Sequence, residues 1–293
     1  MSTESLNSLA LGAHEIVIDG VVQRYHVAGS GPVCLVHPGG PGAHWEYLQM
    51  HNLERHMTAV YIAPIGAGES GSLPDGIYSM ERYARFIDGL VAHLGLTQVF
   101  LLGHSAGGCA ALQYAVDHSD RLAGLILYGS TPVFGPDMFA EVGVQLEAFA
   151  QRHAGRPEVA DVLAAFQSQR EPFGKAEVME HRRRSLPAYF ADYWGAGDRL
   201  SNWAATVDFE YLPIIEHWDA RDELGKVSVP TLILVGRHDA MTPVRWAEEM
   251  HEKIADSQVT VFKNSGHFIH VEEPQAFVQA IAEFLSGTAS ETA

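Results

Sequence analysis

Residues 99–112 read Val99-Phe-Leu-Leu-Gly-His-Ser105-Ala-Gly-Gly-Cys-Ala-Ala-Leu112. The run Val99–Leu102 is short and wholly apolar, the pattern of a strand buried on both faces. Gly103 to Gly107 matches G-x-S-x-G, and Ala110, Ala111, Leu112, Tyr114 and Ala115 then begin the apolar face of a helix. Strand, sharp turn and helix follow one another in the order that motif requires. A serine on so tight a turn has a strained backbone, and its neighbours one turn away must lack side chains. Gly103 and Gly107 meet that need, and Gly108 gives the helix room to approach. The turn lifts the Ser105 hydroxyl above the sheet edge, beside a helix N-terminus whose dipole favours developing negative charge. Ser105 is therefore the candidate nucleophile. An ordinary glycine-rich turn would account for G-x-S-x-G alone, but not for the strand before it and the helix after it.

Outward from this stretch the chain alternates. His14–Asp19 and Val21–Ala28 predict a hairpin about Asp19-Gly20. Val33–Val36, Thr58–Ile62, Leu122–Tyr128, Thr231–Val235 and Val259–Phe262 predict further buried strands. Trp45–Leu53, Met80–Leu94, Val244–Ile254 and Pro274–Leu285 predict helices, the second ending near Gly95. Such alternation predicts the α/β class: a mostly parallel, twisted sheet with helices on both faces. From about Val133 to about Asp222 no buried strand appears. That stretch carries helical patterns rich in Trp, Tyr, Phe and Arg, broken by Pro172, Pro187, Gly195 and Gly197. Because buried strands resume after it, we expect a core of residues 1–132 and 223–293 interrupted by a helical cap over 133–222. Arg182-Arg-Arg184 reads as a solvated helix face.

Composition narrows the function. Of 293 residues 47% are apolar, enough for a large core, and the formal net charge of −17 opposes binding to nucleic acid or to an anionic membrane. A small-molecule substrate is the expected partner, and a homo-oligomer is compatible with this composition. Cys34 and Cys109 both lie in apolar surroundings and read as reduced, buried thiols. Met1–Leu11 lacks the basic-then-apolar order of a secretion signal, and no apolar run approaches 18 residues, so a cytoplasmic location is expected.

An acyl-transfer serine needs a base, a group that orients the base, and oxyanion donors. Strand 231–235 runs into Gly236-Arg-His-Asp239, and strand 259–262 into Lys263-Asn-Ser-Gly266-His267. Ser105, Asp239 and His267 thus occur in the order Ser…Asp…His, in loops after consecutive strands of one sheet. Taken singly, Asp239 is an ordinary helix-capping aspartate and His267 one histidine of 16. Together they form a catalytic set in which His267 takes the serine proton and Asp239 holds its imidazole. His238 and His270 rank below His267. Oxyanion donors are expected from the backbone N–H of Ala106 and from the loop His37-Pro-Gly-Gly-Pro-Gly42. The prolines there donate nothing, which leaves Gly39 and Gly40, with Gly40 preferred.

Gly39-Gly-Pro-Gly42, Gly103-His-Ser-Ala-Gly-Gly108, Gly236-Arg-His-Asp239 with Thr242-Pro243, and Ser265-Gly-His-Phe268 with Glu272-Glu-Pro274 resemble the α/β-hydrolase superfamily. The loop 39–42 is similar to its proline iminopeptidase branch. The resemblance spans roughly residues 14–285 outside the insertion. It implies a serine hydrolase with no metal or organic cofactor and a helical cap over the site. That branch carries Asp-Gln-Arg-Gly after the fourth strand where this chain has Ala63-Pro-Ile-Gly66, and Trp after the serine where this chain has Ala106. It also aims cap glutamates at a substrate's free amine; Glu210 and Glu216 are the counterparts available. Phe139, Phe166, Tyr189, Phe190, Trp194, Trp203, Tyr211 and Trp218 supply aromatic surface to the insertion. His104 of the elbow and, from these, Phe139, Trp194, Trp203, Tyr211 and Trp218 are expected to bind substrate. The expected activity is cleavage of an ester, lactone or related acyl bond of a small, largely apolar substrate. The alternatives are a prolyl aminopeptidase, a lyase or carbon–carbon hydrolase on the same scaffold, and a weakly catalytic ligand-binding protein.

Overall fold

The computed structural model of the chain describes residues 8–168, 174–210, 212 and 217–291. Its strands, in chain order, are β1 (Gly12–Ile18), β2 (Val21–Gly29), β3 (Val33–His37), β4 (Thr58–Ile62), β5 (Val99–His104), β6 (Leu122–Tyr128), β7 (Val133–Phe134), β8 (Trp218–Asp219), β9 (Thr231–Gly236) and β10 (Ser257–Phe262). Eight of them form one sheet in the order β1-β2-β4-β3-β5-β6-β9-β10. The β1–β2 and β2–β4 pairs are antiparallel, and every pair from β4 to β10 is parallel. β6 stands between β5 and β9, so the loops bearing Ser105 and Asp239 follow strands that are not neighbours.

Burial follows position in the sheet. Every residue of β5 and β9 is buried, as parallel strands covered on both faces require. The edge strand β1 alternates exposed and covered residues. Helix α1 (Met80–Leu94) begins where the Ser79 hydroxyl accepts the Arg82 N–H and stops at Gly95, left-handed at φ 65°. Its buried face, including Tyr83, Ile87, Leu90, Val91 and Leu94, recurs at helical spacing and packs on α2 (Ala106–His118). Helix α2 is buried over its first ten residues, which is why its apolar and small residues run all round it.

Two expectations need correction. Trp45–Leu53 is not one helix but two 3-10 turns, Trp45–Leu48 and Leu53–Arg55. A tertiary partner takes a backbone group a helix would use, the Met50 N–H donating to the Tyr61 hydroxyl at 3.0 Å. The stretch 133–222 also contains a two-stranded antiparallel ribbon, β7 with β8, too short to give a periodic signal. It brings the two ends of the stretch side by side. Trp218, at its centre, is buried and donates its indole N–H to Gln113 of α2 at 2.7 Å. Between the ribbon strands lie α3 (Pro136–Arg152), α4 (Glu158–Gln167), α5 (Lys175–Ser185) and α6 (Asp198–Ala204). After β9 come α7 (Val244–Lys253), α8 (Ile269–Glu272) and α9 (Pro274–Glu291). Parallel pairing from β3 to β10 delivers the loops after β3, β5, β9 and β10 to one sheet edge.

Candidate active site

Ser105 follows β5 directly and precedes the first turn of α2. Its backbone lies at φ 56°, ψ −125°, a region that costs a side-chain-bearing residue about 1–3 kcal/mol. The surroundings hold it there. Its N–H donates to the Tyr128 carbonyl at 2.9 Å, and its carbonyl accepts the Gly108 N–H and the Ser130 hydroxyl, each at 2.9 Å. A Cβ at Gly103 would meet the backbone of Gly107, and one at Gly107 would meet the carbonyls of His37 and Pro38. At Gly108 it would meet Ser130. These collisions are the physical content of the glycine pattern in 103–108.

Asp239 and His267 are brought together and buried. Asp239 Oδ2 accepts the His267 Nδ1–H at 2.8 Å and the Thr242 hydroxyl at 2.8 Å. Its Oδ1 accepts the N–H groups of Met241 (2.8 Å) and Thr242 (2.9 Å). Burial pushes the Asp239 carboxyl up, but the His267 charge and these hydrogen bonds outweigh it and hold the carboxyl below its ordinary range. His267 is tethered in turn: its N–H donates to the Tyr189 carbonyl at 2.7 Å. With Nδ1 committed to Asp239, Nε2 is the free ring nitrogen. Among the described residues Ser105 and His267 form no direct hydrogen bond.

A second polar network ties the loops together. The Gly39 N–H donates to the Tyr47 hydroxyl at 2.7 Å. Tyr47 passes its own proton to His104 Nδ1 at 2.6 Å, and His104 Nε2–H donates to the His267 carbonyl at 3.1 Å. The tautomer follows from these partners. His270 works likewise, accepting from the Tyr128 hydroxyl (2.8 Å) and donating to the Tyr47 carbonyl (2.9 Å). Burial drives His104 well below its ordinary pKa and His270 down to about 4, so both stay neutral. The network links the loop after β3, the turn at Ser105 and the loop after β10.

It also corrects two expectations. The Gly39 N–H is already taken by Tyr47, so it does not face an incoming oxyanion. His104 lies behind Ser105 among Tyr47, Tyr128 and Phe268 rather than against substrate. Gly40 (φ 127°) lines the cavity together with Ser105 and Ala106. Among the described residues no acceptor takes the N–H of Gly40 or Ala106.

That cavity has a volume of about 230 Å3, below the usual range for drug-sized ligands. Its walls are mostly apolar: Phe134, Met138, Phe139, Val142, Phe166 and Phe209 stand with Tyr189 around the floor at Ser105. Of the aromatics expected to bind substrate, only Phe139 lines it among the described residues. Trp194 packs on Phe149 and His153, and Trp203 on Phe190 and Phe268. Trp218 belongs to the ribbon described above, and Tyr211 lies outside the described residues. The aromatic count of a helix does not say which face meets a cavity and which meets the core.

Sequence reasoning also missed Arg182. Arg183 and Arg184 are surface residues, paired with Glu180 and Asp161. Arg182 instead lines the cavity, its guanidinium 3.8 Å over the Phe209 ring centroid, and burial lowers its pKa. Helical spacing was the available signal, since three consecutive residues of a helix cannot share one face. Glu210, a counterpart of the amine-binding glutamates, is engaged by Lys175 (3.4 Å) and His44 (3.4 Å). Glu216 lies outside the described residues. Among the described residues no cluster of three or more His, Cys, Asp or Glu side chains is arranged to hold a metal ion. Cys109 lines the cavity with its thiol protonated, since burial raises it to about 11; Cys34 is likewise buried and free.

Glu272 joins the insertion to the loop of His267. Its carboxylate accepts the N–H of Ala191 (2.9 Å) and of Gly266 (2.7 Å). Burial pushes its carboxyl up to about 7. A carboxyl raised in the folded state stabilises most below its unfolded pKa, and that contribution is lost as pH rises through 7. Wild type should therefore lose stability relative to Glu272→Gln between pH 4.5 and 8, by up to about 3 kcal/mol. Urea unfolding of both proteins across that range checks it; a constant difference contradicts it.

The profile of the alpha/beta hydrolase fold family matches residues 32–274. The chain is 28% identical over 276 residues to a proline iminopeptidase of Saccharolobus solfataricus, covering 89% of this chain and 87% of that protein. It is 27% identical over 282 residues to a 2-hydroxy-6-oxo-2,4-heptadienoate hydrolase of Pseudomonas putida, covering 92% and 95%. Among solved structures, a thermophilic esterase of Thermogutta terrifontis superimposes with a TM-score of 0.71 at 26% identity, covering 94% of this chain and 98% of that one. No described helix is long and apolar enough to cross a membrane. The chain belongs to the α/β-hydrolase fold family and is an enzyme of that family, similar to its proline iminopeptidases and esterases.

Proposed function

We propose that this enzyme is a serine hydrolase that cleaves an ester, lactone or related acyl bond of a small, largely apolar substrate through an acyl-enzyme. The proposal rests above all on the strained Ser105 at the floor of a small apolar cavity and on the buried Asp239–His267 pair, whose His267 carbonyl is bonded by His104, the residue before Ser105. In this reading His267 Nε2 takes the Ser105 proton as Oγ attacks the carbonyl carbon. Asp239 keeps Nδ1–H pointed at itself and stabilises the imidazolium. The N–H groups of Gly40 and Ala106 receive the oxyanion. His267 then returns the proton to the leaving alcohol, and water repeats the sequence to release the acid. The resting structure lacks the Ser105–His267 hydrogen bond; such bonds often tighten only when substrate fills the site. Helices α3–α5 act as a cap, since they carry Phe139, Phe166, Val178 and Arg182 to the cavity wall. Tyr47 and His104 support the oxyanion loop from behind. The reaction calls for no cofactor, and a cytoplasmic location suits the composition.

An ester or lactone fits better than a prolyl amide with a free amine. A buried ammonium needs a carboxylate partner. Glu210 is already paired, and the charged side chain that lines the cavity, Arg182, is a cation. Short-chain aryl esters should therefore show kcat/KM at least about tenfold above prolyl aryl amides at neutral pH, tenfold being 1.4 kcal/mol of discrimination. Steady-state assays of the two series side by side test this. Faster prolyl amides, with the preference abolished by Glu210→Gln or Glu216→Gln, would establish the aminopeptidase instead.

A further inference from the structure

Arg182 is not explained by the hydrolysis of a neutral ester. Its helix, α5, places Arg183 and Arg184 outward, where each has a carboxylate 2.6–2.7 Å away. Arg182 points the other way, into the wall that Ser105 also lines. Its neighbours are aromatic: the Phe209 face at 3.8 Å, with Tyr47 and Tyr189 acting on it at longer range. Among the described residues no carboxylate pairs with it. A partly desolvated guanidinium stacked on a ring, with no anion beside it among the described residues, is a costly charge to keep. The stacking holds the fork flat and leaves its edge donors available. A planar carboxylate is the group that this fork matches, with two parallel N–H···O bonds. The cavity is small, and a single arginine balances one negative charge, whereas a phosphate dianion would be left undercompensated.

From these contacts we infer that the substrate carries a carboxylate, away from the bond that is cut, and that Arg182 binds it while Ser105 attacks the acyl carbon. This rests on the serine-hydrolase reading above and adds the chemical class of the substrate: an acidic ester, lactone or related acyl compound with an apolar body.

The test compares matched pairs of substrates. Mono-4-nitrophenyl glutarate, which has its free acid on the acyl side, is set against its neutral methyl-capped diester. 4-Acetoxybenzoate, which has its free acid on the alcohol side, is set against the neutral methyl 4-acetoxybenzoate. In at least one pair the free acid should be favoured by about 10- to 100-fold in kcat/KM, the span expected for a charge-assisted bidentate contact. Arg182→Met should bring that ratio to unity or below without lowering Tm, since it removes a half-buried charge that has no carboxylate partner among the described residues. Arg182→Lys should recover part of the ratio, because a point charge lacks the fork. The ratio in wild type alone decides the matter if a variant fails to fold. Preference for the neutral member in both pairs, or a ratio unchanged in Arg182→Met, overturns the inference. Hydrolysis of all four compounds with no acid preference would do so while leaving the serine-hydrolase reading intact. No turnover of any of them, with no acyl-enzyme burst, would instead count against that reading itself.

Discussion

Ser105→Ala should lose at least about a thousandfold in kcat/KM on whichever ester is turned over best, while the protein stays folded. The size follows from the role: without Oγ no acyl-enzyme forms, and only the oxyanion donors and binding remain. Ser105→Gly should be equally inactive, yet more stable than wild type. At φ 56° a glycine sits without strain, whereas serine stores a penalty there. A gain of about 1 kcal/mol in unfolding free energy is expected from that relief, partly offset by the greater freedom of glycine in the unfolded chain. Loss of activity together with a gain in stability separates a strained catalytic turn from a serine that merely shapes the elbow. Assays and thermal unfolding on the same preparations measure both. A Ser105→Ala enzyme with activity near wild type would remove Ser105 from the reaction.

The second large effect concerns Asp239 and His267. His267→Ala should cost three or more orders of magnitude in kcat/KM, and Asp239→Asn a comparable loss, because the amide reverses the hydrogen bond that fixes Nδ1–H. Groups that act as one unit are far from additive. Ser105→Ala/His267→Ala should therefore be little worse than Ser105→Ala. Losses that multiply would mean that the two side chains serve separate steps. Asp239→Asn also leaves the Thr242 hydroxyl and two backbone N–H groups facing an amide, so a stability loss of about 1–3 kcal/mol should accompany it.

The elements that the sequence revealed share a local cause. Gly103 is forced by the backbone of Gly107 and Gly108 within the turn itself, while Gly107 and Gly108 are forced by His37, Pro38 and Ser130 of the neighbouring strand ends, contacts that the motif's fixed strand–turn–helix setting implies. The wholly apolar strands β5 and β9 are likewise legible, because burial on both faces leaves no room for alternation. Asp239 could be read from its loop after the buried strand β9, and His267 from the loop after β10, although that strand lies at the sheet edge and is only partly covered rather than buried as its apolar residues predict. What stayed hidden depends on side-chain contacts that only the fold supplies. Gly39 and Gly40 look equivalent in a Gly-Gly pair; only Tyr47, folded over from the following turn, takes the N–H of one and leaves the other. Trp194 and Trp203 have the composition of a binding wall, yet the partners that bury them lie on other elements. Arg182 was masked by its two neighbours, since a run of three arginines reads as solvated surface unless helical phase is applied residue by residue.

The central claim is that Ser105 becomes acylated. Incubation of the native enzyme with a fluorophosphonate, followed by intact mass measurement and peptide mapping, addresses it most directly. The account predicts one adduct per chain, on the Ser105 peptide, formed in step with loss of esterase activity and absent from Ser105→Ala. Esterase activity that survives full exposure to the probe, or an adduct on a different serine that abolishes turnover, would contradict it.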